Sequence, residues 1–224
     1  IPAACCGVVG YKPSFGRVPK GNRPNTFDGH SPFVQHGPLA RSVADAALML
    51  DVMAGPHPGD PFTHPDEGVD YRGAVDRPVD GLEVAYSPDL GIFPVEPAVR
   101  EAVADACDGL EASGATVHEV DVEYGRSREE IADAWRTYFQ TLMAGVALQV
   151  EEAHGVDLLG DHRDEVDPLF VRIVEAGREY TVTDRQRADI VRTDVYDAVQ
   201  NIFAEYDLLV TPTLGVLPFE TAER

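Results

Sequence analysis

Apolar residues along this chain follow two rhythms. In RSVADAALMLDVMAGP, Val43, Ala46, Ala47 and Leu50 recur at helical spacing, with Ser42 as N-cap, Asp45 three positions on, and Gly55-Pro56 as the stop. EPAVREAVADACDGLEASG predicts a second helix, with Pro97 in its first turn and Gly114 past its end. SREEIADAWRTYFQTLMAGVALQVEEAHG predicts a long one, opened by a Ser127–Glu130 capping box; Ile131, Trp135, Tyr138, Phe139 and Leu142 share one face and read as core. A shorter helix opens at Asp167-Pro168. A last long helix is expected to begin at Thr183, boxed by Gln186, and to run to about Tyr206.

The second rhythm belongs to the short apolar runs GLEVAYS, ATVHEVDV and DLLVTPTLGVLPF, which read as strands. The first two flank a helix, so they form a βαβ unit whose strands are parallel neighbours joined by a right-handed crossover. That unit places the chain in the α/β class. The first forty residues, broken by GVVG, KPS, GRVPKGNRP and DGHSP, read as turns around short extended pieces. Residues 56–80 carry proline, glycine and acid without periodicity and read as a surface loop, and GDHRDEV as an acidic linker.

Composition narrows the classes. The chain has 224 residues, 44% of them hydrophobic, enough for a buried core in one large domain or two small ones. No run approaches the length of a membrane span, and no signal-peptide core is present, which reads as a cytoplasmic protein. Against 39 acidic residues stand 18 basic ones, a net charge of −21, and that imbalance repels phosphate backbones and anionic membranes. Neither nucleic acid nor a membrane surface is an expected partner. The acid is spread along the chain rather than gathered in a tail, which points to a cytoplasm at high salt.

Cys5, Cys6 and Cys107 cannot all pair within the chain, so reduced, buried thiols are expected. The familiar catalytic and cofactor motifs are absent: there is no G-x-G-x-x-G, Walker loop, H-E-x-x-H or C-x-x-C. No two histidines stand at i, i+4, so a metal site has no support, and no cofactor is implied. Lys12 and Ser14 could form a nucleophile pair in principle, but a lysine near a loop end reads as solvated. Cys6 has only apolar neighbours in sequence and reads as a packed thiol. Asp161, Asp164, Glu165 and Asp167 read as solvated surface.

Read from the residues alone, this is an acidic α/β protein without an internal catalytic motif. A resemblance takes it further. IPAACCGVVGYKPSFGRVP resembles the segment of amidase-signature hydrolases that follows their Gly-Gly-Ser-Ile-Arg nucleophile motif. HGPLARSVADAALMLDVMAGP, GLEVAYSPDLGIFPVEPAVREAV and EYDLLVTPTLGVLPF are similar to later blocks of the same family, in the family's order.

The resemblance implies a mixed β-sheet flanked by helices, incomplete at both ends, so that residues 1–224 would be an interior piece of one domain. It implies a C–N hydrolase acting on a small or aryl carboxamide, in which a serine attacks the carbonyl, a second serine relays the proton and a neutral lysine is the base. On this alignment all three would stand ahead of Ile1, leaving no catalytic residue here. Cys6 and the Lys12-Pro13 turn match structural features of the family, while Cys5 departs from a bulky aromatic. Tyr138, Phe139 and Arg172 become the candidate substrate contacts. The expected partner is a small amide, with a homodimer as an open assembly state. Glutamine hydrolysis within an amidotransferase, which would need protein partners, and a non-catalytic fragment or pseudoenzyme are the alternatives.

Overall fold

The apolar run at the start winds into a short helix rather than extended pieces: α1, Pro2–Cys6, begins on a proline and stops at Gly7, whose φ of 62° is left-handed. No residue of α1 is buried, and Cys5 and Cys6 are both exposed. The expectation of packed thiols therefore holds only for Cys107. A helix this short has no stripe long enough to sink both adjacent cysteines, because neighbours in sequence point about 100° apart.

The computed structural model describes residues 1–27 and 33–219, and the chain divides into two compact units. Among the described residues, the first comprises 1–27, 33–81, 95–115 and 212–219; the second comprises 82–94 and 116–211.

In the first unit, β1 (Val9–Gly10) pairs antiparallel with β2 (Leu39–Ala40), and α2 (Val43–Met53) follows. Ser42 caps α2 as its sequence predicts, accepting from the Asp45 N–H, and Ala46 and Leu50 are its buried positions. Residues 56–80 include the one-turn helix α3 (Tyr71–Ala74), capped by Asp70. The first part of that stretch folds back on the N-terminal segment: buried Asp60 accepts from the backbone N–H of Lys20 at 2.6 Å. His64 donates its backbone N–H to Gly16, and Phe62 packs between Phe15 and Phe27. Gly16 is required at that crossing, since its φ is 80° and a Cβ there would sit 2.7 Å from the His64 ring. The same unit holds α4, Pro97–Ala112, with Cys107 buried in it and its thiol pushed up by burial.

The second unit carries a parallel three-stranded sheet in the order β4–β3–β5, where β3 is Glu83–Tyr86, β4 is Thr116–Glu119 and β5 is Leu208–Val210. Val84 stands opposite Val117 on one side and Leu208 on the other, so the two strands of the predicted βαβ unit are parallel neighbours. β3 is central and reads as a near-continuous buried run, Val84, Ala85 and Tyr86.

Helices α5 (Arg128–His154), α6 (Pro168–Glu179) and α7 (Val182–Phe203) complete this unit. The capping box of α5, Ser127 with Glu130, forms as the sequence predicts, and Asp167 caps α6. The linker holds only a 3-10 turn, Arg163–Glu165. Helix α7 starts earlier than its sequence suggests: Thr181 and Asp184 make the box, not Thr183 and Gln186, and the helix ends at Phe203, short of Tyr206. Two overlapping Thr-x-x-(acid or amide) frames were available, and the ionised carboxylate wins because it also complements the positive end of the helix. Ala198 and Ile202 of α7 pack with Ala85, Val122 and Tyr124 in the main core cluster.

These boxes set an acid limit. Glu130 is held below the usual carboxylate range first by the Ser127 N–H and then by Arg126, and Asp184 by the hydroxyl and N–H of Thr181. Carboxylates depressed in the folded state contribute stability above their unfolded pKa, near 4, and lose it as pH falls through their lower folded values. Denaturant melts should therefore show the parent losing stability as pH falls through and below about 4, and a Ser127→Ala/Thr181→Ala double variant, weaker at neutral pH, losing less over the same fall. Parallel pH profiles for the two would contradict the assignment.

Candidate functional site

Side chains on α5 four and three residues apart share a face, and here that face is aromatic. Trp135 stacks with Tyr138, with ring centroids 6.3 Å apart and planes 8° apart, and with Phe139 at 5.9 Å and 24°. Tyr138 is buried, Phe139 partly so, and Trp135 about half exposed. The structure thus brings together two of the three candidate contacts. Trp135, expected as core, is instead the exposed edge of the ladder, about half in solvent while Tyr138 beside it is buried.

Arg172 lies elsewhere. It sits on α6 between buried Val171 and Val174, on the exposed side of that helix. The cation that meets the aromatic face is Arg185 of α7, whose guanidinium carbon is 3.7 Å from the Tyr138 ring centroid. Its Nη1 donates to the Thr141 hydroxyl at 2.8 Å, and that hydroxyl donates to the carbonyls of Thr137 and Tyr138. Its Nε is buried without a hydrogen-bond partner. No periodicity in the sequence marks Arg185; the only local signal is its place on the face of α7 next to the capping box.

Two further features bear on the site. A groove of about 310 Å³ opens where α5 and α7 begin, lined by Glu130, Asp133, Thr137, Tyr180, Asp184 and Arg187 among others. Its carboxylates are engaged: Asp184 with Arg187, Asp133 with Arg136 and Glu130 with Arg126. In the first unit an apolar groove of about 380 Å³ runs between β1, α2 and α3, lined by Val9, Val43, Ala46, Leu50, Tyr71 and Val75 among others.

The remaining sequence candidates are not gathered into a site. Lys12 and Ser14 are both exposed, and no hydrogen bond joins them. Asp161, Asp164 and Glu165 are exposed, and Asp167 is occupied as the cap of α6. Among the described residues no group of three or more His, Cys, Asp or Glu side chains is placed to hold a metal, and no helix is long and apolar enough to cross a membrane.

The second unit thus joins a parallel three-stranded sheet to helices that carry an aromatic face capped by a cation. The family model for amidases matches residues 1–224. An acylamidase from Rhodococcus erythropolis is 36% identical over 222 residues, covering 98% of this chain and 43% of that protein. A glutamyl-tRNA(Gln) amidotransferase component from Natronomonas pharaonis is 32% identical, covering 99% and 55%. Among solved structures, a bacterial aryl acylamidase of the amidase-signature family superimposes with a TM-score of 0.88 at 30% identity, covering 98% of this chain and 44% of that one. The chain belongs to the amidase family, with the amidase-signature fold, and spans about half the length of the curated relatives it matches.

Proposed function

We propose that these residues serve a C–N hydrolase that converts a small or aryl carboxamide into a carboxylate and ammonia. The observation that carries this reading is the aryl acylamidase superposition, with a TM-score of 0.88 over 98% of the chain. On this reading the reacting groups are a nucleophilic serine, a bridging serine and a neutral lysine, a set whose support is the resemblance of IPAACCGVVGYKPSFGRVP to the family's post-nucleophile segment. The serine oxygen bonds to the amide carbon and its proton passes through the second serine to the lysine. The C–N bond then breaks as nitrogen takes that proton and leaves as ammonia. Water cleaves the acyl-enzyme, releasing carboxylate and regenerating the serine. Backbone N–H donors aimed at the oxyanion contribute about 3 kcal/mol to such a step.

Within this scheme the 224 residues supply scaffold and substrate contacts. Tyr138 and Phe139 are proposed as the aromatic wall of the acyl pocket. Arg172, standing apart from them on α6, is a separate contact, and Arg172→Gln in the intact enzyme tests it by its effect on KM. The acid excess is read as adaptation to a salt-rich cytoplasm, and a homodimer is compatible with the scheme.

A second reading, glutamine hydrolysis within a multi-protein amidotransferase, has its support in relatives of that name at 26% to 32% identity. An assay of glutamine hydrolysis with and without the other amidotransferase proteins separates the two. Ammonia released from glutamine only when those partners are added, and none from simple carboxamides, would favour the second.

A further inference from the structure

Three candidates stand out beyond the assigned contacts: the buried hydroxyl of Ser87, the apolar groove of the first unit, and Arg185. Ser87 follows central strand β3, is 1% exposed and its Oγ has no hydrogen-bond partner, but it lines neither of the two grooves described above and nothing in the structure shows what it would bind. For the groove, nothing in the structure shows what covers it. Arg185 carries more.

We infer that Arg185 is a positioning residue that sets the aromatic wall of the acyl pocket by acting through Tyr138. This rests on the proposed reading that Tyr138 and Phe139 line that pocket. The turn of α5 from Thr137 to Thr141 is held from two neighbouring helices. From α7, the Arg185 guanidinium lies over the Tyr138 ring at 3.7 Å and bonds the Thr141 hydroxyl at 2.8 Å. That hydroxyl in turn bonds the carbonyls of Thr137 and Tyr138, so the cation is tied both to the ring and to the backbone that bears it. From the α6 side, the Tyr180 hydroxyl donates to Gln140 Oε1 at 3.0 Å, and Gly177 lets α6 approach the Gln140 backbone.

An apolar side chain would fill the space over Tyr138 without leaving a buried N–H unmet. Arg185 leaves its Nε in that state, a cost that simple packing does not repay. What a guanidinium supplies and an aliphatic chain does not is a flat, charged cover anchored at one end. It fixes the tilt of Tyr138, and through the stacked Trp135 and Phe139 it fixes the ladder. A wall held this way discriminates by shape. It accepts a planar acyl group and does little for a methyl.

The test uses the intact enzyme that contains these residues, with benzamide and acetamide as substrates and ammonia release as the readout. Arg185→Met is expected to raise KM for benzamide about tenfold, KM for acetamide much less, and to change kcat less than KM. Arg185→Lys, which keeps a cation over the ring, should recover most of the benzamide affinity. Thr141→Val, which removes only the anchor, should move KM in the same direction by a smaller factor, and it keeps the question open to measurement if Arg185→Met folds poorly. Equal losses on both substrates, a fall in kcat alone, or a lysine variant no better than methionine would overturn the inference. Tyr138→Ala separates the two levels. If it raises the benzamide KM while the Arg185 variants are silent, only the positioning role fails; if it changes nothing, the pocket reading fails with it.

Discussion

Replacing Gly177 with alanine will lower the melting temperature by about 4–8 °C, corresponding to about 2 kcal/mol for a chain of this size. Val171, Val174 and Gly177 form the buried stripe of α6. A Cβ at position 177 would overlap the carbonyl oxygen of Gln140, lie 2.6 Å from its carbonyl carbon and 3.0 Å from the Ala144 Cβ. Two of these three atoms belong to helix backbone and cannot rotate away, so α6 has to move outward as a body. That movement loosens the bond between Tyr180 and Gln140 as well. Thermal melts of the two proteins provide the check; an unchanged melting temperature would mean that α5 and α6 do not approach as closely as this.

Raising KCl from 0.1 M to about 2 M will raise the melting temperature by several degrees, against the usual weakening of surface ion pairs by salt. Pairs such as Arg17–Glu67, Arg163–Glu175 and Arg126–Asp194 are at least partly exposed, and solvent screening leaves each of them a weak contributor even at low salt. Even complete pairing would leave a net charge of −21. Self-repulsion of that excess acts over about 10 Å at 0.1 M but only about 3 Å at 1 M, so screening it outweighs the pairs lost. A melting temperature that falls steadily with KCl would remove the salt-adapted reading and leave the acid excess unexplained.

The regular elements were legible where a local rule decides them. Ser42, Ser127 and Asp167 cap the helices they precede in sequence, and the two strands around residues 97–114 are parallel neighbours. Legibility failed where two local rules competed or where burial depends on partners distant in sequence. Thr181 and Thr183 both offered a cap, and the charge on Asp184 settled it. Cys5 and Cys6 looked like core because their neighbours are apolar, but a five-residue helix has no buried face. At the candidate site, Tyr138 and Phe139 followed from the helical stripe and the family resemblance. Arg185 did not, because the contact that gives it meaning spans 47 positions and no spacing rule connects α7 to α5.

The proposed carboxamide hydrolase differs from the glutaminase of an amidotransferase, and from an inert scaffold, in what the protein hydrolyses on its own. Steady-state ammonia release by the intact protein, assayed alone at high KCl with benzamide, acetamide and glutamine, tests the proposal most directly. The expected result is saturable hydrolysis of a simple carboxamide without any added protein, with benzamide at the lower KM. Hydrolysis of glutamine alone, or of nothing, would contradict it.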